Sequence, residues 1–274
     1  MRTSSTGMGL AVETQEPIYL PQTDEIMRFE AAYRARLPVM IKGPTGCGKT
    51  RFVEHMAWRL AKPLVTVSCN EDMTASDLIG RYLLDAQGTR WLDGPLTQAV
   101  RQGAICYLDE VVEARADTTV VIHALTDHRR AMTIDKTGEQ LKAHSDFQLV
   151  ISYNPGYQSL MKDLKPSTKQ RFVAMDFEYP QAQQEAQIIA SQTTLALDDA
   201  KRLVQIAQAA RALKGQGLVE GISTRLLVYA GQLMAQGIKP LVACQMALVQ
   251  PITDDAQVRL SLQQLIASVW PADA

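Results

Sequence analysis

The sequence predicts an α/β fold: a parallel sheet with helices between its strands, followed by a separate all-helical domain. Three observations predict it. A short apolar run at residues 39–42 leads into a glycine-rich loop and then a helical pattern from Thr50 to Leu60. Further apolar runs of strand length stand at 64–67, 104–108, 149–153 and 172–177, separated by helical segments, which is the layout of βαβ units. After Pro180 the composition turns to Ala, Gln and Leu with helical periodicity and few β-branched clusters.

Taken in order, residues 1–16 are rich in Ser, Thr, Gly and Glu and read as a mobile arm. Ile18-Tyr19-Leu20 lies between two prolines and reads as extended chain. Thr23 is placed to cap a helix whose first turn holds Asp24 and Glu25, where the helix dipole favours acids. That helix is expected to run to about Arg36, with Pro38 as its stop. The runs at 104–108 and 149–153 are apolar at nearly every position, as in strands buried on both faces. The domain boundary falls near Tyr179-Pro180, giving an arm (1–16), an α/β core (17–180) and a helical domain (181–274). In the last, Asp198 is expected to cap a helix ending near Lys214-Gly215. Further helices follow at 223–236, closed by Gly237, and at 240–249 and 255–269.

Composition narrows the function. The chain has 274 residues, 46% of them hydrophobic, enough to bury a real core. Its net charge is −1 and its pI about 6.4, without the basic excess from which nucleic-acid binders draw most of their affinity. Cys47, Cys69, Cys106 and Cys244 are scattered, with no C-x-x-C and no His at ligand spacing, and read as buried or semi-buried thiols in a reducing compartment. The first fifteen residues lack the apolar stretch of a signal peptide. No apolar run approaches the roughly 20 residues that span a bilayer. A cytoplasmic protein is expected.

The chemistry concentrates in a few places. Gly43-Pro44-Thr45-Gly46-Cys47-Gly48-Lys49-Thr50 has the G-x-x-x-x-G-K-T pattern, between a strand and a helix. Its glycines let backbone N–H groups turn toward phosphate oxygens, and the following helix aims its positive end at the same place. Lys49 is the candidate to reach the β- and γ-phosphates, and Thr50 to ligate Mg²⁺. The apolar run 105–108 ends in Asp109 and Glu110. Beside a phosphate loop, Asp109 is the candidate Mg²⁺ ligand and Glu110 the base that polarises an attacking water. The expected cofactors are therefore ATP and Mg²⁺, and the expected reaction is hydrolysis to ADP and phosphate. Asn154 follows the run 149–153 and precedes Pro155; it either orients the lytic water or simply forms an Asn-Pro turn. Arg171 precedes the last strand and Arg225 lies near the start of a later helix. Either could approach the γ-phosphate, but spacing alone does not separate them from surface arginines.

In their order along the chain these residues match Walker A, Walker B, sensor 1, arginine finger and sensor 2. With Asp77-Leu78-Ile79-Gly80-Arg81-Tyr82, Trp91-Leu92-Asp93-Gly94-Pro95-Leu96, Leu108-Asp109-Glu110-Val111-Val112-Glu113-Ala114-Arg115 and Ser152-Tyr153-Asn154-Pro155-Gly156-Tyr157-Gln158, the chain resembles AAA+ ATPases of the MoxR branch. More narrowly it resembles the CbbQ/NorQ group, over about residues 17–236. The resemblance implies an AAA+ P-loop core, a five-stranded parallel sheet in an αβα sandwich, with a helical lid and ATP held between core and lid. It implies a homo-oligomeric ring, typically a hexamer, in which Arg171 reaches the neighbour's site and Arg225 acts on its own subunit's nucleotide. Lys169-Gln170 precedes Arg171 where many relatives carry an acid, which makes Lys169 the alternative finger. The segment 80–95 would line the ring's pore, with Tyr82 and Trp91 as its aromatic candidates or else packed under a loop. Residues 128–147, with the turn Lys136-Thr137-Gly138-Glu139, would form the hairpin before sensor 1.

The same resemblance implies a remodelling ATPase working with a von Willebrand factor A domain partner. In the CbbQ line the client is rubisco, freed of inhibitory sugar phosphates, and overall likeness favours this line. In the NorQ line the client is nitric oxide reductase, whose metal centre is assembled. A nucleic-acid motor on the same core is the contrasting class; the balanced charge and the lack of an appended helix-turn-helix or zinc element argue against it. A metabolite kinase fits poorly, because Glu110 supplies a base for water.

Overall fold

All five apolar runs become strands of one sheet. The structure, a computed structural model, describes residues 10–86, 88–155, 164–213, 218 and 220–271. In chain order its elements are α1 (Glu25–Arg34), β1 (Val39–Lys42), α2 (Lys49–Arg59), β2 (Leu64–Ser68), α3 (Ala75–Ile79), β3 (Gly80–Asp85), β4 (Gly88–Asp93), α4 (Pro95–Gln102), β5 (Ile105–Asp109), α5 (Ala116–Val121), β6 (Ala131–Ile134), β7 (Glu139–Lys142), β8 (Gln148–Tyr153), α6 (Pro166–Lys169) and β9 (Val173–Asp176). The helices α7 (Ala182–Gln192), α8 (Leu197–Ala212), α9 (Thr224–Ala235), α10 (Pro240–Cys244) and α11 (Ala256–Val269) follow.

The chain divides into two compact units. The first takes the chain up to Pro17, then Thr23–Gly43 and Lys49–Asp176; the second takes Ile18–Gln22, Pro44–Gly48 and the chain from Phe177 onward. Two short segments thus leave the expected 17–180 core. Residues 18–22 group with the helices because the Gln184 side-chain amide donates to the carbonyls of Leu20 and Pro21.

In the first unit the sheet order is β2-β5-β8-β1-β9, with every pair parallel. The central strands β5 and β8 are buried almost throughout, which is why they read as continuous apolar runs rather than alternating ones. The register sets Lys42 beside Tyr153 and Leu108 beside Ile151. Gly43, Asp109 and Asn154 therefore leave the sheet at its carboxyl edge, where ligands of open parallel sheets bind. One core joins Leu96, Val100, Leu108, Ile122, Leu149 and Ile151. Phe29 of α1 meets Phe52 of α2 edge-on at 5.5 Å.

Several expected ends move. Thr23 is not the cap of α1; Asp24 holds that position, while the Thr23 N–H and hydroxyl both donate to the Glu25 carboxylate (2.7 and 2.9 Å). Nor does Pro38 stop the helix. Arg36 adopts φ 59°, and the Leu37 N–H bonds the Ala32 carbonyl at 2.9 Å, so a left-handed turn closes α1 first. Of the expected arm, residues 1–9 lie outside the described residues; Leu10 is tied down, its N–H donating to Gln102 at 2.8 Å and its side chain packing on the core.

The second unit has its own core, which includes Ile189, Leu203, Leu227, Leu248 and Ile266. Asp198 lies within the first turn of α8 rather than capping it: Ala196 is the N-cap, and Asp198 pairs with Lys201 at 2.8 Å. The helix ends at Ala212, and the expected end at Lys214-Gly215 lies outside the described residues. Ser223 caps α9 through the Leu226 N–H, and Asp255 caps α11 through the N–H groups of Gln257 and Val258. The stretch 240–249 is α10 followed by a π-helical turn, Gln245–Val249.

All four cysteines are free and buried. Burial pushes the thiols of Cys69, Cys106 and Cys244 up to about 12. Because the thiolate is the reacting form, the native protein at pH 8 is expected to leave these three unmodified by a chromogenic disulfide reagent, while the denatured chain reports four thiols. Prompt native reaction of more than one thiol would contradict this. Among the described residues no helix is long and apolar enough to cross a membrane.

Candidate nucleotide-binding and hydrolysis site

The phosphate loop joins β1 to α2. Two of its glycines, Gly46 and Gly48, are required for distinct reasons. Gly46 has φ 69°, and a Cβ there would lie 2.7 Å from the Ser223 Cβ, so both backbone angle and close approach exclude a side chain. At Gly48 the constraint is φ 102° alone. Lys49 opens α2 and is buried. Its ammonium donates to the Gly43 carbonyl at 2.9 Å and to Asn154 Oδ1 at 2.6 Å. Asn154, ambiguous as an Asn-Pro turn, is thereby brought to the loop's lysine.

Thr50 faces the end of β5. Its hydroxyl lies 3.4 Å from Asp109 Oδ2 and 3.4 Å from the Tyr107 hydroxyl. A hydroxyl and a carboxylate converging beside a phosphate loop form the hard-oxygen donor set that Mg²⁺ takes together with substrate phosphates. Thr50 and Asp109 are therefore the residues that would hold that ion.

Glu110 is exposed and takes φ 54°, ψ 46°, left-handed backbone that a non-glycine residue adopts at a cost of roughly 1–3 kcal/mol. Its N–H donates to Ser152 Oγ at 3.1 Å, and the Ser152 hydroxyl in turn donates to Asp109 Oδ1. The Tyr107 hydroxyl donates to the same oxygen at 2.6 Å. Burial, and then the Asp109 charge, raise the Tyr107 phenol above its ordinary value, so it stays a neutral donor. The sequence reading missed both residues. Tyr107 passed as one more apolar strand position. Ser152 did carry a signal, since a hydroxyl inside a strand buried on both faces must find partners.

Arg171 is exposed in the turn between α6 and β9. Nearby, His123 contacts the Thr168 hydroxyl at 3.0 Å, and its pKa is lowered by burial and then by the charges of Arg171 and Lys165. Lys169 points differently, its ammonium lying over the Tyr153 ring at 5.5 Å. Arg225 is the second residue of α9 in the helical unit, and its Cβ would lie 3.3 Å from a Cβ built on Gly46. In the same unit the Tyr179 hydroxyl donates to the Thr45 carbonyl at 3.2 Å, and the Arg211 guanidinium stacks 3.8 Å above the Tyr179 ring. Arg211 also forks onto the buried Glu185 carboxylate (2.7 and 2.8 Å), which accepts from Thr224 as well. Nothing in the sequence spacing pointed to this network.

The segment 80–95 contains the antiparallel hairpin β3–β4, in which Tyr82 and Trp91 are directly paired with rings edge-on at 5.2 Å. Trp91 is half-buried and its indole N–H donates to Asp93; Tyr82 is 49% exposed with its hydroxyl on the Lys136 carbonyl. Leu84 near the tip is 82% exposed, more than either aromatic. The second hairpin, β6–β7, turns at 135–138, one residue before the expected Lys136-Thr137-Gly138-Glu139, because Glu139 already pairs with Ile134 as the first residue of β7; Arg101 ties this hairpin to the first by pairing with both Asp93 and Glu139. Gly156-Tyr157-Gln158 of the sensor stretch lie outside the described residues.

The chain is similar to known proteins along most of its length. Residues 38–172 match the AAA domain of the dynein-related subfamily, and residues 185–269 match the CbbQ/NirQ/NorQ C-terminal domain. The chain is 67% identical over 248 residues to Protein CbbQ of Hydrogenophilus thermoluteolus, covering 90% of this chain and 93% of that one. It is 57% identical over 254 residues to Protein NorQ of Paracoccus denitrificans, covering 93% and 94%. Among solved structures a RuvB of Thermotoga maritima shares the fold, with TM-score 0.53 and 12% identity over 88% of this chain and 68% of that one.

Proposed function

The chain belongs to the CbbQ/NirQ/NorQ family of AAA+ ATPases, and from that premise we propose that it is the ATP-hydrolysing motor of a ring-shaped remodelling complex. The observation that carries the proposal is the convergence of Lys49, Asn154, Thr50, Asp109 and Glu110 at one edge of the sheet. Lys49 holds the β- and γ-phosphates while Asn154 orients a water. The Glu110 carboxylate takes a proton from that water as its oxygen attacks the γ-phosphorus. The bond from that phosphorus to the β–γ bridging oxygen breaks, and ADP leaves. Magnesium bound by Thr50 and Asp109 supplies neutralisation of phosphate charge.

In the proposed ring, typically hexameric, Arg171 serves the neighbour's site and Arg225 its own. The exposure of Arg171, against the inward placement of Lys169 over Tyr153, favours Arg171 as the finger. Arg171→Ala is expected to lower ATPase activity by about 10³-fold or more, as for other arginine fingers. Mixed with Lys49→Ala subunits it should regain activity, because rings holding both variants contain interfaces that combine an intact Arg171 with an intact Lys49. Full activity of Arg171→Ala alone would exclude the role in trans.

The proposed client is rubisco, engaged through a von Willebrand factor A domain partner and freed of inhibitory sugar phosphates. The higher identity to a CbbQ than to a NorQ supports it. The second reading, maturation of nitric oxide reductase, is supported by the 57% identity to NorQ over nearly the whole chain. Incubating the protein, the partner and ATP with sugar-phosphate-inhibited rubisco should restore carboxylation. No recovery with any of several partners, alongside recovery of reductase activity in cells lacking its maturation ATPase, would transfer the assignment to the reductase.

A further inference from the structure

We propose that Ser152 and Tyr107 are positioning residues that set the two acidic side chains of the site, Ser152 acting on both Asp109 and Glu110 and Tyr107 on Asp109 alone. The inference rests on the reading of those acids given above. Asp109 Oδ1 receives two hydroxyl donors, from Tyr107 at 2.6 Å and from Ser152, while Oδ2 is the oxygen facing Thr50 at 3.4 Å. Two donors on one oxygen stop the carboxylate from turning, so the other oxygen stays directed at the place of the metal. Tyr107 also lies 3.4 Å from the Thr50 hydroxyl, so it touches both residues that would hold the ion.

Ser152 does more. It is fully buried, and its hydroxyl is used in both directions, donating to Asp109 and accepting from the Glu110 N–H at 3.1 Å. That second bond holds the residue whose backbone is left-handed at φ 54°. A strained conformation persists only where its surroundings over-determine it. Ser152, fixed in the central strand β8, holds the Glu110 N–H, while the Glu113 N–H holds the Glu110 carbonyl at 2.8 Å. One hydroxyl thus couples the angle of the metal-facing carboxylate to the direction in which the base leaves the strand.

The two residues can be separated because only Ser152 touches Glu110. The full-length protein, as Ser152→Ala, Tyr107→Phe and wild type, is compared in steady-state ATPase assays. Mn²⁺ titration of the ADP complex, followed by electron paramagnetic resonance, provides a measurement that needs no turnover. Residues supporting metal ligands typically carry 10–100-fold in metal affinity or activity. Both variants are expected to weaken Mn²⁺ binding by about tenfold. Ser152→Ala alone is expected also to lower kcat at saturating metal by about tenfold or more, with KM for ATP within threefold of wild type. Unchanged Mn²⁺ affinity in both variants, or an equal kcat loss in both at saturating metal, overturns the inference. If Ser152→Ala does not fold, unaltered Mn²⁺ affinity in Tyr107→Phe still overturns it and weakened affinity supports it. A wild-type protein without ATPase activity would defeat the hydrolytic reading instead, and the Mn²⁺ titration would still decide the positioning of Asp109.

Discussion

Glu110→Gln is expected to stop ATP turnover while leaving ATP binding intact. A positioned general base contributes typically 10²–10⁴-fold, so the steady-state rate should fall by at least about 10²-fold. The substitution replaces one carboxylate oxygen by an amide nitrogen of nearly equal size. It leaves the left-handed backbone and the Glu110 N–H bond to Ser152 untouched. It also leaves Lys49, Thr50 and Asp109 in place, so fluorescent ATP should bind within a fewfold of the wild-type affinity. The proposed ring should still assemble and should trap the triphosphate, readable as a slow release of bound ATP. Hydrolysis at the normal rate by this variant would remove Glu110 from the mechanism and leave the strain at its backbone without a catalytic purpose.

The second large effect is on stability. Glu185 is fully buried in the helical unit and is held by both arms of Arg211 and by the Thr224 hydroxyl. Glu185→Ala leaves the Arg211 guanidinium with its charge uncompensated among buried groups. Breaking a buried pair from one side typically costs about 3–5 kcal/mol. For a domain of this size that corresponds to a fall of order 10 °C in the unfolding midpoint. Replacing both partners by apolar residues of similar volume is often neutral, so Glu185→Met with Arg211→Met should recover most of the loss. The double substitution also removes the cation stacked on Tyr179, whose hydroxyl holds Thr45 of the phosphate loop. A stable double variant with weakened nucleotide binding would therefore separate the stabilising role of the pair from its influence on the loop. A loss below about 1 kcal/mol in Glu185→Ala would show that the pair behaves like an exposed one.

Much of the molecule was legible without coordinates, and the reason lies in how parallel sheets bury their strands. β5 and β8 are covered on both faces, so they appear as unbroken apolar runs and could be located directly. The phosphate loop was legible because its chemistry fixes a local spacing of glycine, lysine and threonine along one turn of chain. Asp109 and Glu110 were legible as acids ending a buried run. Helix ends were less so. Thr23 and Asp198 looked like caps, yet the competing bonds of Glu25 and Lys201 took their side chains elsewhere. Arg36 closed α1 with a left-handed turn of the kind expected of glycine.

What the sequence determined by itself was the set of candidate groups: Lys49, Thr50, Asp109 and Glu110 are picked out by residue type and short-range spacing. What only the tertiary structure decided was what holds them. Asn154 reaches Lys49 from 105 residues away because β8 lies between β1 and β5 in the sheet. The same strand brings Ser152 to Asp109 and Glu110, across 43 and 42 residues of sequence. Parallel strands meet only through long crossovers, so the order in which they lie side by side is not written in any local pattern. The candidate residues are therefore visible in the chain, whereas the hydroxyls that contact them become visible only once the strands are laid next to one another.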